Sequence, residues 1–75
     1  MIAAPQTLTV AIDGQRYRLM RRGYSVWAMA CQSRDVCYRW GAGKWAMEGS
    51  DPLAFVEDGV LLAGLEAGYR ELGGT

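Results

Sequence analysis

A tight-turn dipeptide inside an alternating pattern constrains the fold of this chain more than any other feature. Leu8, Val10 and Ile12 alternate with threonine or alanine, which is the period-two pattern of a strand with one buried face. Asp13-Gly14 follows directly, and both residues tolerate the positive φ angles of a two-residue hairpin turn. Residues 7–20 are therefore predicted to form a β-hairpin.

The turn also sets the register of this hairpin. It places Val10 opposite Tyr17 and Leu8 opposite Leu19, so the two strands share an apolar face. The other face receives the basic side chains of the second strand. Register and burial therefore agree, which is what specifies the pairing of a strand with one buried face.

The next apolar region is predicted to be a third strand. Residues 24–31 alternate again, and we expect a largely buried strand there. A short helix is the alternative, because Ala28, Met29 and Ala30 are good helix formers. The strand is the preferred interpretation.

A second hairpin follows. Residues 36–40 and 44–48 alternate on either side of Gly41-Ala42-Gly43, a spacing typical of two strands joined by a short turn. If the turn is centred on the last two of these residues, Trp40 and Trp45 are direct cross-strand neighbours.

The last third of the chain changes to helical spacing. Ser50-Asp51-Pro52 is a typical helix start, and apolar residues at helical intervals continue to Leu72. Asp58 interrupts this apolar face and Gly59 follows it. We therefore predict helical structure over residues 51–72 with a kink or break at 58–59, which leaves a first turn or two at 51–58 and a main helix at 60–72.

These elements predict a single small domain of the α+β class. Its antiparallel sheet has about five strands, made of two hairpins and a joining strand, and one C-terminal helix packs on one face. The expected division of the chain is a flexible segment at 1–6, the sheet at 7–48 and the helical part at 51–72.

Composition argues against catalysis and against metal or cofactor binding. Histidine is absent, so the commonest general base and metal ligand is missing. Cys31 and Cys37 have no second pair to complete a tetrahedral site, and we expect two buried, reduced thiols. The chain has no apolar run of about 20 residues and no leader-like start. We therefore expect a non-enzymatic, cytoplasmic protein without a membrane segment.

Charge is divided along the chain. Residues 1–47 carry seven basic and two acidic side chains, whereas residues 48–75 carry one basic and six acidic ones. The net charge of zero therefore hides a strong dipole, which favours recognition of a charged partner.

The basic residues supply the first set of candidate binding residues. Several should share the sheet face opposite the helix, where they are either a solvated surface or a site for single-stranded nucleic acid. The members expected on this face are Arg16, Arg18, Arg39 and Lys44, with Arg21 and Arg22 at its rim.

The C-terminal helix supplies two further sets. Glu57, Glu66 and Glu71 are either its solvated side or a patch for a basic partner. A strip of small residues either packs on the sheet or forms a close homodimer seam. That strip contains Val60, Gly64, Ala67 and Gly68.

This plan resembles small phage-encoded inhibitors of host defence, the anti-CRISPR proteins among them. The likeness is carried by the short chain, the Asp13-Gly14 hairpin, the run from Trp40 to Trp45 and the single helix opening at Asp51-Pro52. It implies a protein that occupies the surface of a CRISPR effector complex in the host cytoplasm and blocks target-DNA binding or nuclease recruitment. These inhibitors share no common motif, so the likeness assigns no individual residue.

We therefore expect a protein-binding inhibitor module without enzymatic activity. The alternatives are a nucleic-acid-binding accessory protein that uses the basic sheet face and a homodimeric structural or regulatory protein.

Overall fold

The described residues fold into one antiparallel sheet followed by one helix. A computed structural model describes residues 6–33 and 35–73. Its strands are β1 (Thr7–Ile12), β2 (Gln15–Arg22), β3 (Ser25–Ala30), β4 (Cys37–Gly41) and β5 (Lys44–Met47), and the helix is α1 (Gly59–Glu71). The strands are adjacent in chain order. The predicted α+β class is confirmed. The flexibility expected for residues 1–6 concerns residues that lie, except for Gln6, outside the described chain.

The first hairpin has the predicted register. Val10 pairs with Tyr17 and Leu8 with Leu19. Asp13 and Gly14 have φ angles of 52° and 79°, a left-handed conformation that aspartate tolerates and glycine adopts freely. The turn chemistry alone therefore sufficed to fix which side chains face the core.

Residues 25–30 form a strand, so the helical alternative is excluded. Ala28 pairs with Leu19 on one side and with Tyr38 on the other, and it is fully buried. Pairing on both edges satisfies the backbone of β3, and this tertiary context outweighs the helix propensity of its alanines.

The second hairpin turns at Ala42 and Gly43, whose φ angles are 54° and 81°. Trp40 consequently pairs with Trp45, as this turn position predicts. The ring of Trp40 also stacks on Tyr69 of α1, with 4.4 Å between centroids and 22° between planes. The second hairpin is thereby connected to the helix through aromatic packing.

Residues 51–58 are not helical, which corrects the predicted helical start at Ser50-Asp51-Pro52. Met47 N–H donates to the Ala54 carbonyl over 2.8 Å, and Val56 N–H donates to the Trp45 carbonyl over 3.0 Å. This extended segment therefore satisfies the outer edge of β5, which a helix could not do.

Asp58 begins the helix instead of kinking it. Its carboxylate accepts hydrogen bonds from the N–H groups of Val60 and Leu61 over 2.9 and 3.1 Å. These groups have no partner within the helix, so Asp58 is an N-cap and the predicted kink at 58–59 is the helix start.

Loss of this cap should be measurable. We expect Asp58→Ala to lower the free energy of unfolding by about 1 kcal/mol, which is roughly 4–8 °C in Tm for a domain of this size. Asp51→Ala, at an exposed position in the predicted helix start, should change Tm much less. Equal effects of the two variants in a thermal melt would contradict this assignment.

The core lies between α1 and the sheet, and glycines allow the helix to approach closely. A Cβ atom added at Gly64 would lie 2.6 Å from Ile12 Cδ1, and one added at Gly68 would lie 2.6 Å from Leu19 Cδ2. Gly64 and Gly68 therefore pack on the sheet, which is the first of the two alternatives that the sequence left open for this strip. Val60 and Ala67 of that strip remain exposed.

Candidate functional site

The sheet face turned away from α1, called here the outer face, gathers most of the predicted basic residues. Strand alternation sets them opposite to the buried Tyr17 and Leu19. None of the five strands contains an acidic residue. The exposed basic residues of this face are Arg16, Arg18, Arg22, Arg39 and Lys44.

The centre of the outer face is apolar, which the sequence did not predict. Met20 pairs with Trp27, and Met29 pairs with Cys37 on the neighbouring strand. With Arg18 and Arg22 they line a shallow groove of about 310 Å³. These six residues are called the outer-face patch. Residues 26–31 are apolar on both alternating faces, so the pattern could not show which face meets solvent.

The indole of Trp27 is held from two directions. Its Nε1–H donates to Glu48 Oε2 over 2.7 Å, and the guanidinium carbon of Arg39 lies 5.4 Å from the ring centroid. A cation at this distance is attracted to an indole face. The aromatic centre of the patch is therefore pre-oriented, which lowers the entropy lost when a partner binds.

The apolar surface continues toward the last strand. Lys44 Nζ lies 5.1 Å from the ring centroid of Phe55. The side chains of Phe55 and Leu53 are 49% and 63% exposed. These residues and Arg39 line a second shallow groove of about 330 Å³. The outer face thus presents two aromatic side chains, each with a cation above its ring.

The two cysteines differ from the expectation that both are buried. Cys31 is exposed and Cys37 is half-buried, and neither forms a disulfide. Burial raises the pKa of the Cys37 thiol above its ordinary value, and the charge of Glu48 raises it further. At neutral pH, the fraction of Cys37 that is thiolate is therefore smaller than for a free cysteine.

This shift predicts a pH dependence for alkylation. In a Cys31→Ser variant, we expect iodoacetamide to modify Cys37 more slowly than a free cysteine at neutral pH, with the rate rising only at a more alkaline pH than for a model thiol. Glu48→Gln should move that rise toward lower pH. A rate profile identical to that of free cysteine, followed by mass spectrometry, would contradict the raised pKa.

Arg21 does not lie at the rim of the outer face. It has the same parity as Tyr17 and Leu19 and therefore points to the helix side. Its Nη1 donates to the Leu72 carbonyl over 2.8 Å, at the end of α1. A cation there satisfies a free carbonyl and interacts favourably with the helix dipole, so the structure gives Arg21 a structural contact. Arg22 is exposed on the outer face, as predicted.

The three predicted acidic residues do not form one patch. Glu57 is exposed before the helix begins. Glu66 is half-buried and lines a groove with Trp45 and Phe55. Glu71 is exposed on the last turn, and five residues of helix place it about 140° around the axis from Glu66. The structure therefore brings together the basic candidates but not the acidic ones.

Two other kinds of functional feature, a metal site and a membrane-spanning helix, are not found in the described part of the chain. Residues 6–33 and 35–73 contain no group of three or more metal-ligating side chains. The helix within those ranges is not long and apolar enough to span a bilayer. Comparisons with protein-family models, with curated proteins and with solved structures found no significant match for this chain.

Proposed function

We propose that this protein is a non-enzymatic binding module whose outer-face patch recognises an acidic segment of a protein partner. The observation that carries the proposal is the half-buried, pre-oriented Trp27 beside the exposed Met29, surrounded by arginines. Tryptophan, methionine and arginine are the residue types enriched in protein interfaces, and buried tryptophan and arginine contribute most to their affinity.

The positive charge around the outer-face patch favours an acidic partner. Arg18, Arg22 and Arg39 are exposed around the apolar centre. Glu48 is engaged by the Trp27 indole, so its carboxylate is already hydrogen-bonded. Complementary charge raises association rates and fixes the orientation of the partner. An acidic segment with an aromatic or aliphatic anchor fits both properties.

The likeness to small phage-encoded inhibitors gives this function a more specific form. In that form, the protein occupies the surface of a host defence complex, such as a CRISPR effector, and blocks it sterically. The outer face supports this form because it is a continuous sheet surface held by backbone hydrogen bonds, and it can bind without rearranging.

Selection from a displayed peptide library tests the binding specificity directly. With the folded domain as bait, we expect enriched peptides to carry aspartate or glutamate around one aromatic or aliphatic residue. They should bind the wild type and not Trp27→Ala. Enrichment of basic peptides, or equal binding to Trp27→Ala, would contradict the proposal.

Binding of single-stranded nucleic acid is the second candidate function. The aromatic side chains of Trp27 and Phe55 lie on the basic face, and stacking on such rings with phosphate contacts binds single strands. It is the weaker candidate because Arg39 lies over the Trp27 ring and occupies a face on which a base would stack. A steep loss of oligonucleotide affinity with rising salt would support it, whereas undetectable binding at low salt would exclude it.

A further inference from the structure

We propose that the outer edge of β1 is a second interaction surface, at which two copies of this chain pair antiparallel and continue their sheets into one. This inference does not depend on the proposed function. It concerns a different surface from the outer-face patch and from the glycine strip of α1, which packs on the sheet.

The hydrogen bonds between β1 and β2 show which backbone N–H and C=O groups of β1 point away from the sheet. Arg21 N–H donates to the Gln6 carbonyl over 2.9 Å, so the backbone of Gln6 points toward β2. Hydrogen-bonded and non-bonded positions alternate along an antiparallel pair. Even-numbered residues of β1 therefore bond to β2, and odd-numbered residues turn their N–H and C=O groups away from the sheet. The residues with outward backbone groups are Thr7, Thr9 and Ala11.

The two edges of the sheet differ in their backbone hydrogen bonding. At the β5 edge, Ala54 and Val56 form backbone hydrogen bonds to that strand. At the other edge, no strand of the described residues lies beyond β1. Thr7–Ile12 contains no charged residue and no proline, and its pairing with β2 has no bulge. It therefore lacks the features that protect an edge strand from pairing.

The edge is complementary to itself. In an antiparallel pair centred on Thr9, that residue lies opposite its own copy, Thr7 lies opposite Ala11, and Leu8 lies opposite Val10. Every outward N–H of one copy then meets an outward carbonyl of the other. No like charges oppose each other, and the half-buried Leu8 and Val10 lose further exposed apolar surface. These same-face pairs favour a second copy over an unrelated strand.

The helix allows this approach. Leu62, Glu66 and Tyr69 lie on the side of α1 near the second hairpin. Helical geometry places Val60 and Ala67 on the other flank, near Gly64, which rests on Ile12 of β1. Val60 and Ala67 have small side chains and leave room for a second helix, whereas Glu71, on the same flank in the last turn, turns toward solvent in the dimer. Within the described residues β1 is the free edge of the sheet, so each copy uses that edge once and the assembly closes at two copies.

The dimer would present both outer-face patches on one side of a continuous sheet. The outer-face side chains of β1 keep their direction across the two-fold axis, because Thr9 faces its own copy on that face. Two identical sites on one surface increase the avidity for a repeated or symmetric partner.

Analytical ultracentrifugation of the intact chain over micromolar to millimolar concentrations tests the proposal. We expect the mass to rise from 8.2 kDa to twice that value and no further. Thr9→Pro should keep the protein monomeric, because it removes an outward donor without removing a bond to β2. Lys44→Glu, a charge change on β5, should leave dimerisation unchanged.

A charge pair at the same position distinguishes dimer loss from unfolding. Thr9→Lys alone and Thr9→Glu alone should each weaken dimerisation about five-fold or more, and an equimolar mixture should form the heterodimer in native mass spectrometry. A wild type that stays at one mass, a folded Thr9→Pro dimer, growth beyond two copies or a mixture without heterodimer would each overturn the proposal. Capture of an added extended peptide at β1 by a monomeric chain would also overturn it.

Discussion

Gly64→Leu is expected to unfold most of the protein. A Cβ atom at this position would lie 2.6 Å from Cδ1 and Cγ1 of Ile12 and 3.0 Å from its Cγ2. Ile12 is only 6% exposed and is stiff at χ1 because it is β-branched, so it cannot move aside. Even small overpacking costs about 1–3 kcal/mol, and a domain of this size rarely has more than about 3–5 kcal/mol to lose.

Gly64→Ala tests the same contact through the sign of its effect on stability. In an exposed helix, replacing glycine by alanine stabilises by about 1 kcal/mol. Here the contact with Ile12 should reverse that gain, and the midpoint of urea unfolding should fall. Gly59→Ala is the matched control, since a Cβ at Gly59 meets nothing within 4 Å. A higher urea midpoint for Gly64→Ala than for the wild type would contradict the close packing of α1 on β1.

Trp27→Ala is expected to weaken partner binding about 30-fold or more while leaving the fold intact. A central interface tryptophan typically contributes at least about 2 kcal/mol to binding. Trp27 is half-buried on the outer face and lies outside the core between sheet and helix. Its removal therefore deletes the anchor without opening a core cavity.

Tyr24→Ala is the matched control for this loss. The Tyr24 side chain is 96% exposed and does not belong to the outer-face patch. We expect its removal to leave affinity for a selected acidic peptide unchanged in isothermal titration calorimetry. Equal weakening by both variants, or retained affinity in a folded Trp27→Ala protein, would show that the patch is not the binding surface.

The sequence predicted the sheet well because its signals are local. Asp13-Gly14 determines both the turn and the register of the first hairpin, and every later strand follows from alternation. The predicted helix start was wrong because it relied on the local preference of Pro52 and the cap-like residues before it. The backbone bonds from residues 54–56 to β5 are tertiary and leave no local sequence signal.

The candidate site was predicted only in part. Alternation placed Arg16, Arg18 and Arg39 on one face and sets Arg21 on the other, but it could not show that Arg21 reaches the end of α1 or that Trp27 lies on the face turned away from the helix. Both facts depend on which face of the sheet α1 covers, and this is decided by tertiary packing. Likewise, the spacing of Gly64 and Gly68 indicated a close backbone approach, and only the packed structure identifies the sheet as the surface approached.

Backbone and indole N–H chemical shifts during titration with a selected acidic peptide test the central claim most directly. The chain has three tryptophans, and their indole signals separate the outer face from the core. We predict that the Trp27 indole and the amides of Met29 and Arg39 shift, while the buried Trp45 indole does not. Shifts confined to α1, or to the β1 edge, would contradict binding at the outer-face patch.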